Sequence, residues 1–211
     1  MKYYLSSYKF GNCVDRLVSL LPAGARIGHV HNARDHTAAD ATKRRRSQAE
    51  EIAHLTHLGF AAEALDLKDY FHREDALRSK LEGLHGLWVS GGNTFVLRQA
   101  MRLSGFDRLV HALAQRPEFV YAGYSAGICV LSSSLRYLHL VDAPYDYPYA
   151  DGQQTIWEGL GLLDYALLPH YDSDHPESAD IGQTVAYCIE HKLLFKALRD
   201  GEVLLLDEEQ T

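Results

Sequence analysis

Cysteine, long apolar runs and positive charge are all scarce in this sequence. Its three cysteines, Cys13, Cys129 and Cys188, are odd in number, widely spaced and without a C-x-x-C pair. That argues against a disulfide framework or a zinc ribbon and for a reducing, cytoplasmic setting. No apolar run approaches the roughly 20 residues that a membrane span needs. The opening MKYYLSSYKF turns polar after Leu5, so it reads as a first strand rather than a secretory leader. A net charge of −7 argues against a general nucleic-acid or anionic-membrane surface. The one basic run, Lys43-Arg44-Arg45-Arg46, reads as the exposed start of a helix. Arginine is then missing between Arg136 and Arg199, where Lys192 and Lys196 are the only fixed cations.

What is present is alternation. At 211 residues the chain suits one substantial core. Short apolar, β-branched or aromatic runs at Tyr3–Ser6, Arg26–His31, Glu63–Leu67, Leu87–Ser90, Phe119–Gly123, Ala166–Pro169 and Val203–Leu206 predict strands. Helical spacing lies between them. Ala38 to Leu58 predicts a helix with Ala49, Ile52, Ala53 and Leu55–Leu58 on its buried stripe, and Thr94 to Leu103 predicts another. The pattern implies a single α/β domain over residues 1–211, with a mostly parallel sheet covered by helices on both faces in three layers.

In such sheets ligands bind beyond the carboxyl ends of the strands, and the unusual residues fall there. GLWVSGGNTF, residues 86 to 95, is an apolar strand followed by Gly91 and Gly92 and then Asn93 and Thr94 opening a helix. Glycines there let backbone amides face a ligand, while Asn93 or Thr94 serves equally well as a plain N-cap. Gly123-Tyr124-Ser125-Ala126-Gly127 fits G-x-S-x-G between a strand and an apolar helical run. Ser125 then reads either as a nucleophile on a strained elbow, with the Ala126 amide aimed at an oxyanion, or as a small residue capping a tight corner. A serine nucleophile needs a base. His31, His54, His57, His72 and His85 precede the completed strand edge or lie on helical surfaces, and His139 falls in the irregular stretch after the elbow. His170 ends the run ALLPH at a strand terminus stiffened by Pro169. The neighbouring HYDSDH is a poor metal site, because adjacent ligands in an extended loop seldom converge.

Taken together, YLSSY, VSGGNTFVLRQAM, FVYAGYSAG and LLPHYDSDHPES resemble, in order and over nearly the whole chain, the peptidase E (aspartyl dipeptidase) family of serine peptidases. That family has a flavodoxin-like, class I glutamine amidotransferase-like architecture. The resemblance implies hydrolysis of a short peptide by Ser125 as nucleophile and His170 as general base, without cofactor or metal. Gly91, Gly92 and the Ala126 amide match its oxyanion region, and Asn93, Tyr124 and Tyr171 stand where substrate is expected. For the orienting acid it offers Asp200 in ALRDG and Asp142 in HLVDAP. Asp200 is favoured because it follows the run Leu193–Leu198 and should sit at a strand end beside His170.

Two departures stand out. The family reads an N-terminal aspartate with a basic side chain near the helix after the histidine, which the arginine-free interval does not offer. The chain also stops at Thr211 soon after VLLLD, so terminal strands of longer relatives are expected to be missing. From Tyr137 to Asp180 there are nine acidic residues, with Tyr145, Tyr147 and Tyr149 among them. They form either a solvated loop or a negative rim attracting a free α-amine. A carboxylesterase-type serine hydrolase and a non-catalytic binding domain on the same scaffold remain as alternatives, and a homo-oligomer is compatible with the sequence.

Overall fold

The computed structural model describes residues 1–36, 40–151 and 153–207. In chain order the elements are β1 (Lys2–Ser6), α1 (Val14–Leu20), β2 (Arg26–Val30), α2 (Ala41–His57), β3 (Ala61–Ala64), α3 (Glu74–Glu82), β4 (Gly86–Val89), α4 (Thr94–Ser104), α5 (Phe106–Ala114), β5 (Val120–Tyr124), α6 (Ala126–Cys129), β6 (Ala166–Leu168), α7 (Ser178–Glu190), β7 (Phe195–Ala197) and β8 (Val203–Leu206). Short 3₁₀ turns follow β2 at Asn32–Arg34, β3 at Leu67–Tyr70 and α6 at Arg136–Leu140.

Six strands form a sheet in the order β3-β2-β4-β5-β1-β8. All its pairs are parallel except β1 with β8, which is antiparallel. Alternate residues of the central strands feed opposite cores, as a two-fold strand period requires. Tyr3, Leu5, Leu87, Val89, Phe119 and Tyr121 pack with α3, α4 and α5, whereas Tyr4, Trp88, Val120, Ala122 and Tyr124 pack with α1 and α2. The sheet is therefore buried on both faces, which is why β4 and β5 read as continuous apolar runs.

Several boundaries differ from the sequence reading. β6 and β7 leave the main sheet and pair with each other, in parallel. The strand expected at Glu63–Leu67 lies earlier, because β3 is an exposed edge strand and its apolar neighbours Leu65 and Leu67 are buried after it ends. The start expected for α2 at Ala38 lies outside the described residues. Asp40 caps that helix by accepting from Thr42 N and Lys43 N. Its buried positions are Glu51 and Leu55, while Ala49 and Ala53 face solvent. A charged residue thus occupies the inward face, which apolar periodicity alone does not reveal.

Candidate active site

β5 runs directly into the elbow. Ser125 has φ 49° and ψ −120°, a left-handed conformation that a non-glycine residue adopts only under constraint. The neighbours that impose it are glycines for a steric reason. A Cβ on Gly123 would lie 2.5 Å from the Val89 carbonyl oxygen, and one on Gly127 only 2.1 Å from it. The chain can turn this tightly against β4 only if both flanks lack side chains. Ser125 makes no capping bond to α6 and is half-buried among fully buried neighbours. The corner-cap role is therefore not what its hydroxyl does. α6 itself is a single turn, too short for a helix macrodipole to add much at the Ala126 amide.

The glycine arm lies against the elbow. A Cβ on Gly91 would come within 2.8 Å of Ser125 Cβ and 3.2 Å of its Oγ. Gly92, at φ 146°, passes so close to Ala33 that a Cβ would sit 2.4 Å from its carbonyl oxygen. Arg34 Nε donates to the Gly91 carbonyl at 2.8 Å, bracing this arm from the turn after β2. Asn93 has no free polar atom: Oδ1 accepts from Phe95 N and Val96 N, and Nδ2 donates to Ala143 O. It caps α4 and ties down the following loop instead of facing a ligand.

The histidine is brought in by β1. Ser6 pairs with Tyr124 in the parallel register, so Ser7 and Ser125 are the next residues on adjoining strand ends. Ser7 Oγ accepts from the His170 backbone N–H at 2.8 Å and lies 2.9 Å from Asp200 Oδ1. His170 Nδ1 is 2.7 Å from the same Asp200 oxygen. His170 has φ 62° and is buried, with Tyr8 edge-on at 5.7 Å and His175 stacked at 3.7 Å. Burial lowers its pKa below the ordinary 6.5, against the opposing pull of Asp200. The imidazole is thereby kept neutral, as a proton acceptor must be.

Other candidates sit elsewhere. Asp142 is not on His170; its Oδ2 accepts from Thr94 N at 2.8 Å, at the start of α4. Burial pushes this carboxyl up to about 7, against the Thr94 hydrogen bonds that lower it. Tyr124 is buried and its hydroxyl donates to Glu51 at 2.8 Å, at the wall of a cavity that Tyr8 and Arg34 also line. Tyr171 is partly exposed, and its backbone N–H donates to Leu198 O. His170, His175 and Glu177 bring ligand atoms within 4.8 Å of one another. The two rings are nearly parallel, at 7°, so their lone pairs run side by side rather than converging. Sequence reasoning missed Ser7, Tyr8, Arg34 and Glu51. Ser7 and Tyr8 lay within the quoted YLSSY, but only the β1–β5 register shows that they reach the elbow.

A constrained serine at one strand end, with a histidine–carboxylate pair anchored to Ser7 at the adjoining strand end of a doubly covered parallel sheet, fits the layout of a serine hydrolase. Comparison with known sequences makes the class narrower. The sequence model of peptidase family S51 matches residues 36–211, and the chain belongs to that family. It is 31% identical to peptidase E of Streptomyces coelicolor over 176 residues, 82% of this chain and 62% of that protein. It is 33% identical to the probable alpha-aspartyl dipeptidase of Drosophila melanogaster over 152 residues, 68% of this chain and 56% of the relative. The matched part spans 39% to 62% of the length of the curated relatives. Among solved structures, a protein of Listeria monocytogenes EGD-e described as a peptidase E superposes with a TM-score of 0.73 over 98% of both chains at 22% identity. A peptidase from an acI-B1 Actinobacterium superposes with a TM-score of 0.67 over 98% of this chain and 83% of that one, at 13% identity. At those identities the two structures establish the shared fold. No helix among the described residues is long and apolar enough to cross a membrane.

Proposed function

We propose that this chain is a serine peptidase that hydrolyses dipeptides or short peptides from a free N-terminus. The observation that carries the reading is Ser125 itself: strained, half-buried and uncapped, at the strand end adjoining the one whose Ser7 holds the His170 backbone, with His170 held in turn by a carboxylate. Ser125 Oγ attacks the scissile carbonyl carbon while His170 Nε2 takes the hydroxyl proton. The carbonyl oxygen becomes an oxyanion within the Gly91–Gly92 arm and the Ala126 amide. Collapse of this intermediate breaks the C–N bond, and His170 returns the proton to the leaving amine. Water then attacks the acyl-enzyme by the same exchange, releasing the acid and restoring Ser125. Asp200, at His170 Nδ1, fixes the tautomer and stabilises the transient imidazolium. Labelling by a fluorophosphonate, with mass spectrometry locating the adduct, tests the nucleophile, and unmodified Ser125 in folded protein would overturn it. A dipeptide library tests the reaction, and faster turnover of simple esters than of any peptide would favour an esterase.

Arg34 supports a preference for an acidic substrate side chain, the Asp-X class. The cation missing between Arg136 and Arg199 is supplied from the turn after β2. Arg34 braces Gly91, and it borders a cavity of about 490 Å³ that also meets Tyr8, Glu51 and Tyr124. It also borders a second cavity where Lys43, Arg44 and Arg46 outnumber the acids Asp40 and Glu50. Asp-X and Asn-X dipeptides differ in one charge, so their kcat/KM ratio tests the preference. Equal values would remove the acidic class.

A further inference from the structure

Glu51 is the most heavily hydrogen-bonded side chain behind the site, and the proposed chemistry does not use it. It projects from the buried face of α2. Its Oε2 accepts from Ser90 Oγ at 2.7 Å, Trp88 Nε1 at 2.9 Å and His29 Nε2 at 3.1 Å, and its Oε1 accepts from the Tyr124 hydroxyl at 2.8 Å. A carboxylate offers about four lone-pair sites; three donors crowd onto Oε2, while Oε1 holds the Tyr124 hydroxyl. Burial alone would raise its pKa, but the donors, His29 foremost, outweigh that and hold it at about 2. Glu51 is thus an ionised, acceptor-only hub at the wall of a cavity.

The surrounding cluster suits neither of two other roles. It is not a second catalytic set, because Ser90 and Glu51 both meet the same His29 nitrogen, so no proton can pass across the ring, and Ser90 is fully buried. Nor does it leave room for a metal. His29, His31 and Glu51 bring ligand atoms within 4.8 Å, but Ser90 Oγ stands between them at 2.8, 3.0 and 2.7 Å. Burial lowers the pKa of His31 to about 4, so it is neutral, and because Ser90 gives its one hydroxyl proton to Glu51, the proton between His31 Nδ1 and Ser90 Oγ is the histidine's.

What the cluster does join is the two halves of the site. Ser90 immediately precedes Gly91, and Tyr124 immediately precedes Ser125. One carboxylate therefore holds the last residue before the glycine arm and the last residue before the elbow, with Trp88 of β4 and His29 of β2 steadying it from behind. We propose that Glu51 is a positioning residue that fixes the spacing between Ser125 and the Gly91–Gly92 arm, and so acts on turnover rather than on substrate binding. The proposal rests on the reading of Ser125 as nucleophile. Misplacement by about 1 Å can cost on the order of 100-fold in rate.

The test is the second-order rate of Ser125 labelling by a fluorophosphonate, together with kcat and KM on the best dipeptide, for wild type, Glu51→Gln and Tyr124→Phe. Near-UV circular dichroism limits the comparison to folded protein. Glu51→Gln keeps the shape but turns two acceptor oxygens into one acceptor and one donor against a ring of donors. Labelling and kcat should fall together by about 10- to 100-fold with KM nearly unchanged. Tyr124→Phe removes one donor and should fall less, about 3- to 10-fold; it decides the matter if Glu51→Gln does not fold. Wild-type labelling and kcat in the folded variants would overturn the proposal, as would a change confined to KM. An unlabelled wild type would instead overturn the nucleophile reading, and this proposal with it.

Discussion

Ser125 occupies a backbone conformation that costs of order 1–3 kcal/mol for a residue with a side chain, and the cost separates its chemical role from its structural one. Ser125→Ala keeps the strain and removes the nucleophile, so hydrolysis should drop by about 10³-fold or more with Tm unchanged. Ser125→Gly should be equally inactive yet more stable than wild type, because glycine adopts φ 49° freely. A tenth of the activity surviving in either variant would sink the serine mechanism. His170→Ala should add little to Ser125→Ala, since the two act as a unit.

The buried His170 has its pKa lowered, so kcat/KM should stay flat near neutrality and fall only below about pH 6.5, as the imidazole gains its proton. A fall that begins above pH 7 would contradict the burial argument. Asp200→Asn should cost on the order of 10⁴ in turnover by allowing the wrong tautomer, and Asp142→Asn should leave turnover on free and N-acetylated substrates within a few-fold of wild type. The reverse ranking would move the orienting role to Asp142. These residues were visible in the sequence to different degrees. Ser125 announces itself because its constraint is local: two glycines, one strand, one turn. Asp200 follows from the rule that sites gather at strand ends. Arg34 and Glu51 could not be read this way, since each acts through a contact made by a distant part of the chain.

Among the elements, the largest surprise lies in the pair β6–β7, which leaves the main sheet yet still delivers His170 and Asp200 from adjoining strand ends. The strand-end rule survives because it depends on local pairing and not on membership of the large sheet. α2 shows the opposite case: its inward face carries Glu51 beside Leu55, and a period count that scores only apolar residues finds Leu55 but extends the stripe to the exposed Ala49 and Ala53. The start of α4 carries a testable charge. Asp142 titrates near 7 when folded, against an ordinary 3.8. A carboxyl raised in this way lends stability that is complete below the unfolded value and is lost as pH rises through the folded one. Wild type should therefore lose Tm relative to Asp142→Asn from about pH 4 to about pH 7, the two curves running parallel above about pH 8. Parallel Tm curves below that range as well as above it, and through it, would show that the α4 amides hold this carboxyl ionised throughout.

At the scale of the whole molecule, the net charge of −7 sets a field that works against the proposed acidic substrate. Arg34, with Lys43, Arg44 and Arg46 along the adjoining cavity, must overcome that field locally. Part of the basic wall is already engaged, since Arg44 pairs with Asp35. The two contributions differ in range. The general repulsion is long-range and vanishes as the Debye length shrinks from about 30 Å at 0.01 M salt to about 3 Å at 1 M. A direct contact between Arg34 and a substrate carboxylate is shielded far less. Adding salt should therefore raise kcat/KM for Asp-X dipeptides at first, or leave it level, while Asn-X dipeptides respond little. In Arg34→Met the Asp-X advantage should be lost at every salt concentration. If salt instead abolishes the Asp-X advantage in wild type and Arg34→Met retains it, acidic substrates are drawn by diffuse charge elsewhere on the surface, and Arg34 serves only to brace Gly91.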